Sequence, residues 1–247
     1  MGARRSGVPV ALCLLLDDKE KNVKPVSLQL LAGALLALFC LPATAQVRIL
    51  CIGDSSTEGG FGGRPDYTYR LPLQRMLNSL GRKVDFIGTR TQGLDGYPWP
   101  AGFDPDHEGY YGATTEEIKT QVVSHLAQLP PPDIALIDVG SNDASRWDAR
   151  AAVAKPLEQL IVALRRRNPH VVIMVADQGL DGWRGKWQRF WVAHTASALS
   201  TKSSPVDVVP IPRNWGPADM FENDTHANER GQARLAAQWL VPLVQRW

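Results

Sequence analysis

A serine at the end of an apolar run is the first residue of this sequence that could do chemistry. The apolar run 49–52 leads into Gly53-Asp54-Ser55, and such a run ending in a polar turn is typical of a buried parallel strand. In open α/β sheets ligands bind at the carboxyl ends of the strands, which makes Ser55 a candidate nucleophile. Asp54 and Ser55 could equally serve only to cap the next helix, because Asp and Ser are preferred capping residues.

Later polar turns contain the other groups that ester hydrolysis needs. His226 precedes the last predicted helix, Asn142 lies in the turn 140–143, and Gly112 ends the segment 107–112. Together with the candidate serine they supply a hydroxyl nucleophile, a histidine base and donors for a developing oxyanion. Taken singly, Asn142 could stabilise only its own turn, Gly112 could meet a steric need before a helix, and His226 could be a helix-entry residue.

Apolar periodicity places these turns on an α/β framework. Strand-like and helix-like segments alternate, which indicates a parallel sheet covered by helices on both faces. The predicted strands are 47–52, 84–88, 133–139, 171–176 and 206–211, and the predicted helices are 67–80, 115–129, 151–167, 187–200 and 229–244. No internal linker divides residues 46–247, so we predict a single domain there.

Two predicted loops lie among these elements. The glycine-rich segment 59–65 is expected to form a loop beside Ser55. The segment 89–111 is much longer, and loops of that length are usually functional or disordered. Its aromatic side chains argue for an ordered loop, with His107 as a residue that could line a pocket.

The first 45 residues have the layout of a targeting segment. Lys24 is followed by the apolar run 27–41 and then by Ala43-Thr44-Ala45, which predicts a secretory signal peptide cleaved after Ala45. The apolar run is short for a membrane span, and a membrane anchor is the alternative. Residues 1–22 precede the expected start of such a peptide, so we interpret them as a start-site artefact. The protein is therefore expected to be secreted or periplasmic.

Charge and cysteine content exclude several classes of protein. Beyond residue 45 the chain carries 22 basic and 22 acidic side chains, a balance that implies no nucleic-acid partner. Cys51 is the one cysteine in that part, so no disulfide framework is expected. No cluster has metal-ligand spacing and no glycine-rich nucleotide motif follows the first strand, so we predict no metal and no cofactor. We expect a monomer without a stable membrane anchor.

The order of the polar turns resembles the SGNH or GDSL hydrolase family. That family has Gly-Asp-Ser near its N-terminus, a glycine in a second block, Gly-x-Asn-Asp in a third and Asp-x-x-His near its C-terminus, and the likeness covers residues 47–245. The resemblance implies a flavodoxin-like three-layer α/β/α sandwich with a five-stranded parallel sheet. It also implies Ser55 as nucleophile, His226 as base, and the Ser55 backbone, Gly112 and Asn142 as oxyanion donors.

The last block departs from the family pattern. Asn223 stands three residues before His226, where the family has aspartate, and Asp224 stands two residues before it. A carboxylate is wanted because it holds the imidazole in the productive tautomer and stabilises its charged form. We predict that Asp224 fills this role. The alternative is a Ser-His dyad in which Asn223 or a backbone carbonyl orients the ring.

One stretch narrows the resemblance. The segment 104–112, with 86–89 before it, is similar to acetyl-xylan esterases of the third carbohydrate-esterase family, which implies a small acyl group, acetyl, on a carbohydrate. The expected partner is therefore a small-molecule or polysaccharide ester substrate. The alternatives are a lysophospholipase or thioesterase of the same fold, and a non-catalytic polysaccharide-binding module. Several tryptophans could stack on sugar rings, although tryptophans at helical spacing are more often half core: Trp99, Trp183, Trp187 and Trp191.

Overall fold

The computed structural model describes a parallel sheet flanked by helices. It describes residues 46–60, 68–96, 98–178, 180, 182–222 and 226–246. The predicted leader 1–45 and most of the predicted loop 59–65 lie outside these ranges. The strands are β1 Val47–Gly53, β2 Val84–Ile87, β3 Glu108–Gly109, β4 Ile134–Asp138, β5 Val172–Ala176 and β6 Val206–Val209.

The strand order confirms the predicted flavodoxin-like sheet. The order is β2-β1-β4-β5-β6 and every pairing is parallel. The chain therefore moves outward in one direction from β1 to β2, and in the other from β4 to β6. The switch point, where ligands bind in such sheets, lies between the carboxyl ends of β1 and β4.

Helices cover both faces of the sheet, as predicted. They are α1 Ser55–Glu58, α2 Arg70–Ser79, α3 Thr115–His125, α4 Lys155–Arg167, α5 Gly182–Leu199 and α6 Glu229–Arg246. Alternate residues of β1 belong to two separate apolar cores. Leu50 and Ile52 pack in the core under α3, α4 and α5. Ile49 and Cys51 pack in the core under α2 and α6. Burial raises the pKa of the Cys51 thiol to about 12, so it behaves as a core side chain.

The long loop 89–111 contains a strand that the sequence did not predict. Ile52 pairs with Glu108 and Gly53 with Gly109, so β3 extends the row of β2 beyond its end. A two-residue strand is too short to show a periodic pattern, which is why it was missed. Helix α5 begins at Gly182, earlier than the predicted 187. The prediction began too late because the first turn of this helix carries no apolar periodicity.

No helix in the described part of the chain is long and apolar enough to cross a membrane. Among the residues that the structure describes, three short 3₁₀ helices lie between the main elements, and a π-helical turn precedes α4: Leu126–Gln128, Ser141–Asp143, Pro217–Asp219 and Arg150–Ala154 respectively. The turn Ser141–Asp143 matters most here, because it directly follows β4 at the switch point.

Candidate active site

Ser55 is the first residue of the short helix α1, immediately beyond the end of β1. Asp54 does cap this helix, since its Oδ1 accepts from the Ser56 N–H at 3.1 Å. Capping uses the Asp54 carboxylate and leaves the Ser55 hydroxyl available. The two interpretations of this stretch are therefore compatible.

The Ser55 hydroxyl contacts the imidazole of His226. The Ser55 Oγ lies 2.9 Å from His226 Nε2, although the residues are 171 positions apart. The ring of Tyr111 stacks on the imidazole, with centroids 5.7 Å apart and planes inclined by 23°. Asn223 and Asp224 lie outside the described residues.

Gly53 allows the chain to reach this position. A Cβ on Gly53 would lie 2.2 Å from Thr57 Oγ1 and 2.6 Å from the Asp138 carbonyl oxygen. Any side chain would therefore separate α1 from the end of β4. Glycine keeps Ser55 close to the switch point.

The turn after β4 is fastened to the serine segment. Ser141 Oγ donates to Asp54 Oδ2, which joins two segments 87 residues apart. Asn142 Nδ2 donates to the Ala113 carbonyl at 3.0 Å, so its side chain lies beside the Ala113–Thr114 peptide bond, one residue after Gly112. A primary amide has two N–H groups, and this bond uses one of them.

The segment around Gly112 is held by β1 and α1. The Tyr110 N–H donates to the Gly53 carbonyl at 2.9 Å, and the Tyr111 N–H donates to Glu58 Oε2 at 2.6 Å. Gly112 has φ +71°, which favours glycine. In the described part of the chain its N–H has no hydrogen-bond acceptor.

His107, in the same region, has a structural role. His107 is fully buried; its Nδ1 accepts from the Gly109 N–H at 2.9 Å, so its Nε2–H donates to the Gln92 carbonyl at 3.0 Å. Burial, chiefly, lowers the pKa of His107 to about 2, and the ring stays neutral. The suggestion that His107 lines a pocket is wrong.

A pair of buried carboxyls underlies the serine. Burial raises the pKa of Asp54, against the opposing effects of hydrogen bonds from Ser141 and the Ser56 N–H and of the nearby His226. Burial, and then the charge of Asp54, raise the pKa of Asp138 to about 7, although Gln178 donates to this carboxyl. The two like charges disfavour each other, so the pair retains a proton close to neutral pH.

Sequence reasoning missed the groups that act through distant contacts. Asp138 and Gln178 belong to no motif. Glu58, three residues after Ser55, and Tyr111, within the segment 104–112, had no predicted role. The partners of these residues lie far along the chain. Glu58 is buried and also receives a hydrogen bond from Arg90 Nη2 at 2.6 Å. Its position within Gly-Asp-Ser-Ser-Thr-Glu was the one available signal.

The arrangement can transfer a proton from a hydroxyl to an imidazole beside several hydrogen-bond donors. Ser55 heads α1, so its own N–H has no intrahelical acceptor. Among the described residues, no group of three His, Cys, Asp or Glu side chains is placed to hold a metal ion.

Comparisons with known proteins agree with this architecture. The model of the GDSL-like lipase/acylhydrolase family matches residues 51–234. A search of curated protein sequences gave no match.

Solved carbohydrate esterases share the fold. A family 3 carbohydrate esterase from Talaromyces cellulolyticus is 23% identical with a TM-score of 0.68, over 81% of this chain and 98% of that one. A family 3 carbohydrate esterase from Clostridium thermocellum is 25% identical with a TM-score of 0.66, over 82% and 98%. A serine-to-alanine variant of an acetyl esterase, solved with an acetate ion, is 22% identical with a TM-score of 0.68, over 81% and 98%.

Proposed function

Because the chain belongs to the GDSL-like lipase/acylhydrolase family and is a carboxylic ester hydrolase, we propose that it removes acetyl groups from a carbohydrate. Ser55 is the nucleophile and His226 the general base. The observation that carries the proposal is the 2.9 Å contact between Ser55 Oγ and His226 Nε2. It lies at the carboxyl end of β1, beside the switch point of the sheet.

The reaction has two halves. Ser55 Oγ attacks the ester carbonyl while its proton passes to His226 Nε2, and the imidazolium then gives that proton to the departing alcohol. In the second half His226 takes a proton from water, which attacks the acyl-serine. Acetate leaves, and the serine regains its proton.

The carbonyl oxygen becomes negative in both halves and needs donors. The backbone N–H of Ser55, the N–H of Gly112 and the second N–H of Asn142 Nδ2 are assigned this role. The bond from Asn142 to Ala113 supports the assignment, because it holds the amide in one orientation beside Gly112. Donors fixed in advance stabilise the transition state without reorganisation.

We assign Asp224 the role of supporting the His226 imidazole. A carboxylate two residues before the base would orient the imidazole and offset its charge during proton transfer. Asn223 could orient the ring but could not offset that charge.

Three observations favour an acetyl ester of a carbohydrate. The segment 104–112 resembles acetyl-xylan esterases. Two of the structural relatives are carbohydrate esterases, and a third is an acetyl esterase solved with acetate. We also propose that the protein is exported and acts without a metal or cofactor.

The test compares hydrolysis of 4-nitrophenyl acetate and acetylated xylan by wild type, Ser55→Ala and Ser56→Ala. Ser55→Ala is expected to lower kcat/KM at least about ten-thousandfold on both substrates. Ser56 is the matched control, because it is the next serine in the same helix, and Ser56→Ala should stay close to wild type. A Ser55→Ala protein that keeps wild-type activity would refute the nucleophile assignment.

Acyl-chain profiling tests the acetyl part. Aryl esters from acetyl to dodecanoyl are compared by kcat/KM. We expect the acetyl ester to have the highest kcat/KM, whereas a preference for octanoyl or longer chains would identify a lysophospholipase or thioesterase. A folded protein that binds xylan without any hydrolysis would be a binding module instead.

A further inference from the structure

A groove leads away from the turn that contains Asn142. Its first part is a cavity of about 780 Å³ that starts at Thr114 and Asp143. Its second part, about 550 Å³, ends at His194 on α5. Both parts are lined by Asp148, Ala151 and Lys155, so they form one continuous surface. We call it the aromatic groove, after Trp147 in the first part and Trp191 in the second.

The groove begins directly beside the proposed oxyanion donors. Thr114 follows Ala113, whose carbonyl accepts from Asn142 Nδ2 at 3.0 Å, and Asp143 follows Asn142. Asp143 Oδ2 accepts from the Thr115 N–H at 2.8 Å, which joins the two walls at this end. The groove therefore starts at residues that adjoin the proposed oxyanion donors in the chain.

Helix α5 fixes the opposite wall of the groove. Gln188 Nε2 donates to the Gly140 carbonyl at 3.0 Å, and Arg184 Nη1 donates to the Ser145 carbonyl at 3.2 Å. Gly140 permits the first contact, since its φ is +111° and a Cβ there would lie 2.3 Å from Gln188 Nε2. The groove wall and the Asn142 turn are thus parts of one packed unit.

Trp147 offers an open aromatic face in this groove. Its side chain is 76% exposed, although tryptophan is usually well buried. The guanidinium of Arg184 lies 4.7 Å from the Trp147 ring centroid, and Trp183 lies 5.9 Å from it. Arg184 lies over one face of the ring, and the exposure shows that most of the ring stays open to solvent. Trp183 is itself 59% exposed, so the two rings form an exposed aromatic pair, and exposed apolar patches rimmed by polar residues mark binding sites.

The lining suits a sugar chain. Around Trp147 stand charged and polar side chains of both signs, among them Lys155, Asp148 and Gln159. Sugar rings present C–H faces that stack on aromatic rings and hydroxyls that need donors and acceptors. A lipid chain or a partner helix would instead need a continuous apolar stripe.

We propose that the aromatic groove binds the polysaccharide chain that flanks the esterified sugar, with a sugar ring stacked on Trp147. This inference rests on the proposed function, because it places the ester at Ser55 and the rest of the chain along the groove. The groove would select polymeric over small acetyl esters. It contributes binding and takes no part in bond cleavage.

Binding can be tested without catalysis. In the Ser55→Ala background, affinity for deacetylated xylan is measured by depletion and by affinity electrophoresis. In this background, Trp147→Ala is expected to weaken xylan binding about fivefold, and the separate variant Trp147→Phe is expected to keep most of the affinity. Val241→Ala is the control, because Val241 is 56% exposed on α6, outside the groove.

Kinetics give the second readout, with wild-type Ser55 in place. Trp147→Ala should lower the ratio of kcat/KM on acetylated xylan to kcat/KM on 4-nitrophenyl acetate about fivefold, mainly through KM on xylan. The Val241→Ala protein should keep the wild-type ratio.

Two results would overturn the proposal. One is unchanged xylan affinity in a folded Trp147→Ala protein, checked by circular dichroism. Another is a dimer, detected by light scattering, that Trp147→Ala dissociates, since a second copy would then cover the face. A failure of the catalytic proposal would be seen separately, as hydrolysis by the Ser55→Ala protein. The affinity measurements would still show whether the groove binds xylan.

Discussion

At the scale of residues, the Ser55–His226 contact depends on how the imidazole is held. The Tyr111 ring stacks on it from the loop beyond β3, and Glu58 fixes the Tyr111 backbone through a 2.6 Å hydrogen bond. Glu58 belongs to the same short helix as Ser55. The helix that carries Ser55 therefore also positions the aromatic ring that stacks on His226.

Tyr111→Ala should lower kcat/KM on 4-nitrophenyl acetate about threefold to tenfold, because the imidazole loses its stacking partner. Tyr111→Phe keeps the ring and serves as the control, with activity near wild type. Equal losses in both variants would assign the effect to the phenol hydroxyl. An unchanged Tyr111→Ala enzyme would show that the stack does not position His226.

The residue that supports His226 can be identified by a matched pair of variants. Asp224→Ala should lower kcat/KM about a thousandfold or more, because the imidazolium would lose its carboxylate. Asn223→Ala should have a much smaller effect. The reverse order, or an Asp224→Ala enzyme within a few fold of wild type, would favour the Ser-His dyad with Asn223 or a backbone carbonyl orienting the ring.

At the scale of elements, the ends of β1 and β4 bring two carboxyls into the protein interior. Asp138 ends β4 and pairs in register with Gly53, next to Asp54. Gln178, two residues beyond the end of β5, donates to Asp138. Two carboxyls that do not both ionise easily therefore lie beneath the site. For this reason the stability of the folded protein should depend on pH.

Asp138→Asn should raise Tm by several degrees near pH 8 and change it little near pH 4. Folding raises the pKa of Asp138 from 3.8 to about 7, so between these values the folded protein binds the extra proton. The contribution of Asp138 to the free energy of unfolding is therefore largest at low pH and falls as the pH rises from about 4 through 7. An amide still accepts from Gln178 and cannot ionise. Thermal melts against pH test this, and a gain that is largest in acid would contradict it.

The sequence allows the larger elements to be predicted, because periodic apolar residues report which face is buried. It also places Ser55, Asn142 and His226 at the ends of predicted elements. It does not reveal β3 or the Tyr111 stack on His226, because these depend on contacts between segments far apart in the chain. A two-residue strand and a ring-to-ring contact leave no local pattern.

At the scale of the whole molecule, the described residues form a sheet with two apolar cores, one on each face. Beyond residue 45 the formal charge is balanced. Such a fold relies on core packing for its stability, since Cys51 is buried and no disulfide framework was expected. The leader 1–45 is proposed to direct export.

Export predicts a defined N-terminus. When the full sequence is expressed in a secreting host, the exported protein should begin at Gln46, as read by N-terminal sequencing and intact mass. Ala43→Lys should block processing, because signal peptidase requires a small residue there. Protein that leaves the cell or reaches the periplasm with residues 24–45 attached would contradict the cleavage site.

Covalent labelling shows directly whether Ser55 is the nucleophile. Wild-type protein is treated with a fluorophosphonate, digested and mapped by mass spectrometry, with Ser55→Ala and Ser56→Ala treated in parallel. We expect one adduct, on Ser55, together with loss of esterase activity, and the same adduct in the Ser56→Ala protein. An adduct on another residue, or active protein that remains unlabelled, would contradict it.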